Sequence, residues 1–305
     1  MRPRGGAQTG TPRPAAPSSV SGSGSGCRRE IREAEHQPAT AYLSCFPAAI
    51  CANGVTELAY LDDMRSAYVR SFRARVVALP PGGVVLDRTF FYAAGGGQPA
   101  DRGTLALGEV RAEVVDVTRS GLSVVHRIRT STGGGREFVV GAEVEGAIDW
   151  ERRHQHMRLH TGQHLLSARA FVRTGLRTRK AVLKDLVATI DLEGNLESNA
   201  LAELASDMDQ VIREGRPVTI RHIPRKEWES LPSAGRSGLV PLPVQVDPVR
   251  VVEIEGQDSC PCGGTHVRST GEIGEVRLTP PTELPGGGMR IGFTLVRPGA
   301  TTPPA

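Results

Sequence analysis

Apolar positions recur every second residue through the first half of the chain, which is the period of a strand. Phe72, Ala74, Val76 and Ala78 alternate with polar or opposite-face residues, and Gly82-Gly83 then turns the chain. Val84-Val85-Leu86 leads into Thr89-Phe90-Phe91-Tyr92, and further short strands are predicted over 110–117, 121–129 and 139–148. Gly108, Ser120-Gly121 and Gly133-Gly134-Gly135 separate them, and no apolar run of helical length and period falls between residues 72 and 148. Short strands with frequent glycine turns predict a small β-barrel over residues 55–148.

The pattern changes at Asp149-Trp150-Glu151. From there to residue 174 the spacing predicts one helix, ended by Gly175, with Met157, Leu159, Leu165, Leu166, Ala168 and Phe171 supplying apolar surface. Residues 183–192 read as a strand. Residues 197–213 read as an amphipathic helix with Leu201, Leu204, Met208, Val211 and Ile212 at helical spacing. Strands over 217–223, 250–254, 275–278 and 290–296, with a short helical turn over 225–231, complete an α+β domain spanning 149–298. The predicted fold class is therefore α+β, an N-terminal small β-barrel followed by an α+β domain.

The ends of the chain read differently. Residues 1–54 begin with a Pro-, Gly-, Ser-, Ala- and Arg-rich run, and such a segment cannot bury enough apolar surface to offset its ordering entropy. They are expected to be a disordered extension or a start placed too far upstream. An organellar transit peptide is the other reading, because the leader is Arg-rich and acid-poor. Residues 299–305 are expected to be a disordered tail.

Charge and cysteine count narrow the function class. Net charge is +4 over 305 residues, with a pI near 9.0, which permits a nucleic-acid partner without demanding one. No run reaches the ~18 apolar residues of a membrane helix, so a soluble chain with no membrane partner is expected. Five cysteines, an odd number in a long chain, do not make a disulfide framework. A reducing, cytoplasmic setting is expected, or an organelle if residues 1–54 are a transit peptide.

Two short motifs carry the candidate chemistry. His160 and His164 stand four apart within the predicted helix, so both imidazoles leave one face a turn apart. Cys262 and His266 are also four apart, but Gly263-Gly264 makes that segment a turn. Three imidazoles and a thiolate are a Zn²⁺ ligand set. His164 and Cys262 stand 98 residues apart, a separation that suits a site on a rigid scaffold better than a compact zinc finger. Each half alone has an ordinary reading, a pair of solvated histidines or a glycine turn beside a cysteine. Four such donors would close a structural site, whereas catalytic zinc usually keeps a position for water, so both roles stay open. Gln163 and Asp258 are candidates to orient ligating imidazoles, the alternative being a polar helix face and a turn residue. Cys260 leaves open which sulfur ligates. His154 and His156 are read as surface or supporting residues.

The motifs also carry a resemblance. His160-Thr161-Gly162-Gln163-His164-Leu165-Leu166 with Cys262-Gly263-Gly264-Thr265-His266-Val267 resembles the editing domain of alanyl-tRNA synthetase and its free-standing relatives, the AlaX trans-editing proteins. Phe91-Tyr92-Ala93-Ala94-Gly95-Gly96-Gly97-Gln98-Pro99-Ala100-Asp101-Arg102-Gly103 resembles that family's glycine-rich segment, and the motifs stand in the family's order over residues 55–298. The resemblance implies a zinc-containing editing domain. It implies zinc-dependent hydrolysis in trans of tRNA(Ala) mischarged with serine or glycine, with zinc-bound water as the reactive species. It moves Gly95, Gly96, Gly97 and Gln98 from a plain connecting turn towards contact with the tRNA acceptor end. A site that hydrogen-bonds the serine hydroxyl could spare alanine, but Gly175-Leu176-Arg177-Thr178-Arg179-Lys180, where such a residue is expected, departs from the family's pattern. The rival class is a zinc-stabilised tRNA-binding protein without catalytic activity.

Overall fold

In the computed structural model, residues 55–130, 138–184, 186–197, 199–231, 242 and 245–296 are described. The expectations for 1–54, for the Gly133–135 turn and for 299–305 lie outside them. Six strands close the barrel: β1 (Ser71–Ala78), β2 (Gly83–Leu86), β3 (Gly103–Leu107), β4 (Val110–Ser120), β5 (Ser123–Thr130) and β6 (Glu143–Ile148), in the order β1-β2-β5-β4-β3-β6. The residues of β6 alternate strictly between exposed and buried, with Val144 and Ile148 inward. Strand β4 buries Ala112 and Val114, then Val117, because its pairing with β5 slips between Val114 and Asp116. One extra residue there reverses which parity faces the core. Strand β3 was not anticipated: its five residues follow the glycine-rich loop directly and are too short to declare a period. Leu86, Phe91, Leu105 and Tyr60 fill the interior without solvent contact.

His126 is fully buried in this barrel core. Its Nδ1 donates to the Val84 carbonyl at 3.0 Å, and its Nε2 meets the Thr89 hydroxyl at 2.8 Å. Burial pushes its pKa from 6.5 down to about 4, so the folded protein holds it neutral. The unfolded chain binds that proton more readily, so this stability is complete above pH 6.5 and is lost as pH falls through 4. The difference amounts to about 3 kcal/mol, of which roughly two-thirds has gone by pH 5. Urea unfolding at pH 7.5 and pH 5 is the check. His126→Asn is expected to lose about 2 kcal/mol less than wild type over that interval, and equal losses would remove His126 as the cause.

Helix α1 (Trp150–Thr174) follows β6 at once. The Asp149 side chain accepts from the Arg152 backbone N–H to cap its start, and Gly175, in the left-handed conformation, ends it. The expected strand over 183–192 is corrected: β7 (Thr178–Lys184) and β8 (Val187–Leu192) are two antiparallel strands, with Val187 opposite Lys184. The apolar stretch concealed the break because Leu183 and Ala188, on either side of it, both join the core. Then come α2 (Ala200–Glu214), β9 (Val218–Ile223), α3 (Arg225–Glu229), β10 (Val249–Ile254), β11 (Asp258–Pro261), β12 (Val276–Glu283) and β13 (Met289–Leu295). They make a four-stranded antiparallel sheet, β12-β13-β8-β7, and a three-stranded one, β9-β10-β11. Helices α1 and α2 share one core with both sheets, through Leu159, Leu165, Leu166, Leu204, Met208, Val252, Ile254 and Phe293. Among the described residues no helix is long and apolar enough to cross a membrane.

A buried ion pair fixes barrel to helix. Arg153 of α1 and Asp101, near the end of the glycine-rich segment, are both without side-chain exposure. The Arg153 Nε donates to both Asp101 oxygens at 2.8 and 3.0 Å, and Nη1 donates to the Ala67 carbonyl at 2.8 Å. Its Nη2 reaches Asp101 Oδ2 and, at 2.5 Å, the Phe90 carbonyl. Asp101 Oδ2 also accepts from the Tyr92 backbone N–H at 2.6 Å.

Candidate metal centre

His160, His164, Cys262 and His266 converge, with their donor atoms within 4.8 Å of one another. Helix geometry places the first two on one face of α1, their rings 5.2 Å apart. The ring of His266 lies 4.3 Å from that of His160 and 4.8 Å from that of His164. Cys262 Sγ stands 3.5 Å from His160 Nε2 and 3.3 Å from His266 Nε2. The Cys-Gly-Gly turn is what brings it there: a Cβ on Gly264 would overlap the His160 ring. The Gly264 backbone N–H points at Cys262 Sγ from 3.3 Å, and buried Arg250 donates to the Cys262 carbonyl, which fixes the turn from behind.

Each imidazole is held from its outer nitrogen. His160 Nδ1 lies 2.7 Å from Gln98 Oε1, His164 Nδ1 lies 3.0 Å from Asp258 Oδ2, and His266 Nδ1 lies 3.1 Å from Thr161 Oγ1. An Nδ1 beside an oxygen acceptor carries its proton there and leaves Nε2 free to ligate, the arrangement that supports metal-bound histidines. Gln98 is fixed in turn, since its Nε2 donates to Thr265 Oγ1 at 2.9 Å and its Oε1 accepts from the Thr265 N–H at 3.2 Å.

The charges already suit a cation. Burial alone would push the Cys262 thiol up, but the imidazoles of His160, His266 and His164 hold it well below its usual range. Burial opposes charge on His164 too, yet the Cys262 thiolate and the Asp258 carboxylate carry its pKa up to about 10. Burial, with His160 beside it, takes His266 down to about 3, so that ring stays neutral. A thiolate among three imidazoles suits a divalent cation, whose binding would displace any proton left on their inward nitrogens. One thiolate and three inward Nε2 atoms, each with its Nδ1 satisfied, fit a tetrahedral His₃Cys ion. This buried group could bind a metal.

Other anticipated residues lie at different depths. Gln163 orients no quartet imidazole: its Nε2 donates to Ser167 Oγ at 3.0 Å, because successive side chains on a helix point about 100° apart. Ser167 also accepts from Thr178 Oγ1 at 3.1 Å, so that polar cluster adjoins the quartet on α1. In the glycine-rich loop, Gly95 and Gln98 bridge each other; Gly96 has open space where a Cβ would stand, and one on Gly95 would touch the Ala93 carbonyl and the Tyr92 hydroxyl at ordinary contact distance. Gly97, at φ +85, lies so close to the Ala181 carbonyl that any side chain would collide with it. Its own carbonyl accepts from the Leu183 N–H at 2.9 Å, so the loop is pinned to β7. Cys260 differs from Cys262: burial, Asp258 and Cys262 all push its thiol up. Sequence reasoning did not find Gln98, Thr161, Thr265 or Arg250 as supports of the centre. Only the placing of Gln98 beside the three glycines could have signalled one of them. A groove of about 530 Å³ lined by Trp150, His154, Arg158 and Leu295 runs along the start of α1 and shares no residue with the quartet.

The barrel falls within one stretch similar to a class II aminoacyl-tRNA synthetase family, and the Cys262–His266 half of the quartet within a second. Residues 59–152 match the family described as tRNA synthetases class II (A), and residues 249–297 match the threonyl and alanyl tRNA synthetase second additional domain. More particularly, the chain is related to the alanyl-tRNA synthetases and resembles their editing region, as the AlaX proteins do. It is 38% identical over 252 residues to the alanine–tRNA ligase of Pyrobaculum neutrophilum, which covers 78% of this chain and 26% of that protein. Against the alanine–tRNA ligase of Pyrococcus abyssi it is 35% identical over 245 residues, with the same coverage of both chains. Against that of Cenarchaeum symbiosum it is 36% identical over 247 residues. The chain thus spans about a quarter of the length of the curated relatives it matches.

Proposed function

We propose that this chain is a zinc-dependent aminoacyl-tRNA hydrolase that removes serine, and more slowly glycine, from mischarged tRNA(Ala) in trans. The observation that carries it is the quartet itself: three imidazoles with Nε2 inward and Nδ1 held, beside a thiolate. Bound zinc supplies Lewis acidity at the ester that joins the amino acid to the terminal ribose. Gln98, Asp258 and Thr161 keep the imidazoles oriented through the reaction, and the pinned loop holds Gly95 and Gly96 where an acceptor end can approach closely. Exposed Arg70 stacks over Trp150 at 4.4 Å and Arg268 over Tyr68 at 3.9 Å, planar cations suited to phosphate or to a base.

A second reading has its own support. Four protein donors close a tetrahedral site, which is how structural zinc is held, and a zinc-stabilised tRNA-binding protein without activity would use the quartet in that way. Deacylation of Ser-tRNA(Ala) against Ala-tRNA(Ala), with and without chelator, separates the two. The hydrolase should release serine with at least ~10²-fold preference over alanine and stop when zinc is stripped. Equal rates on both would rule out an editing role. Tight binding of tRNA with no release of either amino acid would favour the binding protein.

A further inference from the structure

Strand β11 presents Asp258 and Cys260 towards the same core as their cross-strand partners Ile254 and Val252, and Cys262 follows at the next same-side position. Cys262 joins the quartet. Asp258 reaches His164 Nδ1, and the donor atoms of His164, Asp258 and Cys260 lie within 4.8 Å of one another. The Cys260 thiol makes a long contact of 3.7 Å to the carbonyl of Pro261. We propose that His164 Nδ1, Asp258 and Cys260 form a second, weaker site for a thiophilic divalent cation, zinc in excess or cadmium, sharing the His164 imidazole with the quartet. The proposal rests on the quartet being the first metal site.

One nitrogen, one carboxylate oxygen and one thiolate are donors such ions accept, and three protein ligands leave a position for water. Tetrahedral bond lengths ask for donor separations of about 3.5 Å, so donors that already lie within 4.8 Å of one another would have to draw in by about an ångström. Binding transfers no electrons. It sends the Cys260 thiol proton and the His164 Nδ1 proton to solvent, and metal bonds replace the hydrogen bond to Asp258. The imidazole then bridges two cations, one on each ring nitrogen. The site is weaker than the quartet because it offers fewer donors and must deprotonate a ring whose other nitrogen is already engaged.

Cadmium titration of the full chain, followed by calorimetry and by the ultraviolet cadmium–thiolate band, tests this. Wild type should show two steps, a tight one of about one equivalent and a weaker one of about one more, each adding thiolate absorption. Cys260→Ser and Cys260→Ala should each keep the first step and lose the second. A single step in wild type, or a second step unchanged in both Cys260 variants, overturns the proposal. The first step is read separately in Cys262→Ser. Failure of the quartet reading would leave that variant's tight step intact, whereas failure of the second site shows only in the Cys260 variants.

Discussion

Purified without added metal, the wild-type chain is expected to carry about one zinc ion, and the His160→Ala/Cys262→Ala double variant less than about a tenth of one. The two substitutions remove one donor from each half of the centre, so the remaining His164 and His266 could hold an ion only loosely. Hydrolysis of Ser-tRNA(Ala) should fall by at least ~10³-fold in the same variant, because under the proposed mechanism no other group polarises the ester. The fold is expected to survive. The core that α1 shares with both sheets is apolar and continuous without the quartet, so circular dichroism should be unchanged. Gln98→Ala is the finer measurement. It takes the acceptor from His160 Nδ1 while leaving all four donors in place, and losses of that kind cost about 10–100-fold in metal affinity. Zinc content unchanged in the double variant would sink the quartet as the metal site. Affinity unchanged in Gln98→Ala would make Gln98 a packing residue that happens to touch an imidazole.

What the chain discloses in advance follows from the range over which each signal acts. The start and stop of α1 are local events, an Asp149 side chain accepting from Arg152 and a Gly175 able to take a left-handed turn, and both are visible as letters. The four donors are visible because thiols and imidazoles at four-residue spacing are few in any chain. Strand β3 and the β7–β8 break are hidden, since a short strand leaves no room for a period and the Lys184-Asp185 step offers no glycine, proline or asparagine to divide the apolar stretch. The supports of the centre are hidden for another reason. Gln98 lies 62 residues from His160, and Thr161 lies 105 from His266, so neither contact exists until the barrel and the helix meet. Residue type adds little there, because glutamine and threonine are ordinary polar residues wherever they occur. The glycine-rich loop shows both limits. Its flexibility is legible, but the collision that forbids a side chain at Gly97 comes from β7, over eighty residues later.

Arg153→Met is expected to lower the unfolding free energy by about 3–5 kcal/mol, the usual cost of leaving a buried charge without its partner. Asp101 would keep only the Tyr92 N–H, and the carbonyls of Ala67 and Phe90 would lose their donors. Replacing both charges, as Arg153→Met/Asp101→Leu, should recover much of that loss, because a well-packed apolar pair can match a buried ion pair in stability. Restored stability should not bring restored zinc affinity. Arg153 stands two helical turns before His160, and Asp101 stands three residues after Gln98, so the ion pair sets the register in which the Gln98 amide meets the His160 ring. An apolar contact in its place has no preferred direction and fixes that register less well. The double variant is therefore expected to melt near wild type in urea while binding zinc about 10-fold more weakly, in the range that loss of a supporting contact costs. A double variant as unstable as Arg153→Met would mean that the site cannot repack. One that recovers stability and zinc affinity together would show the pair to be a matter of stability alone, with the loop held on the helix by its contacts to β7.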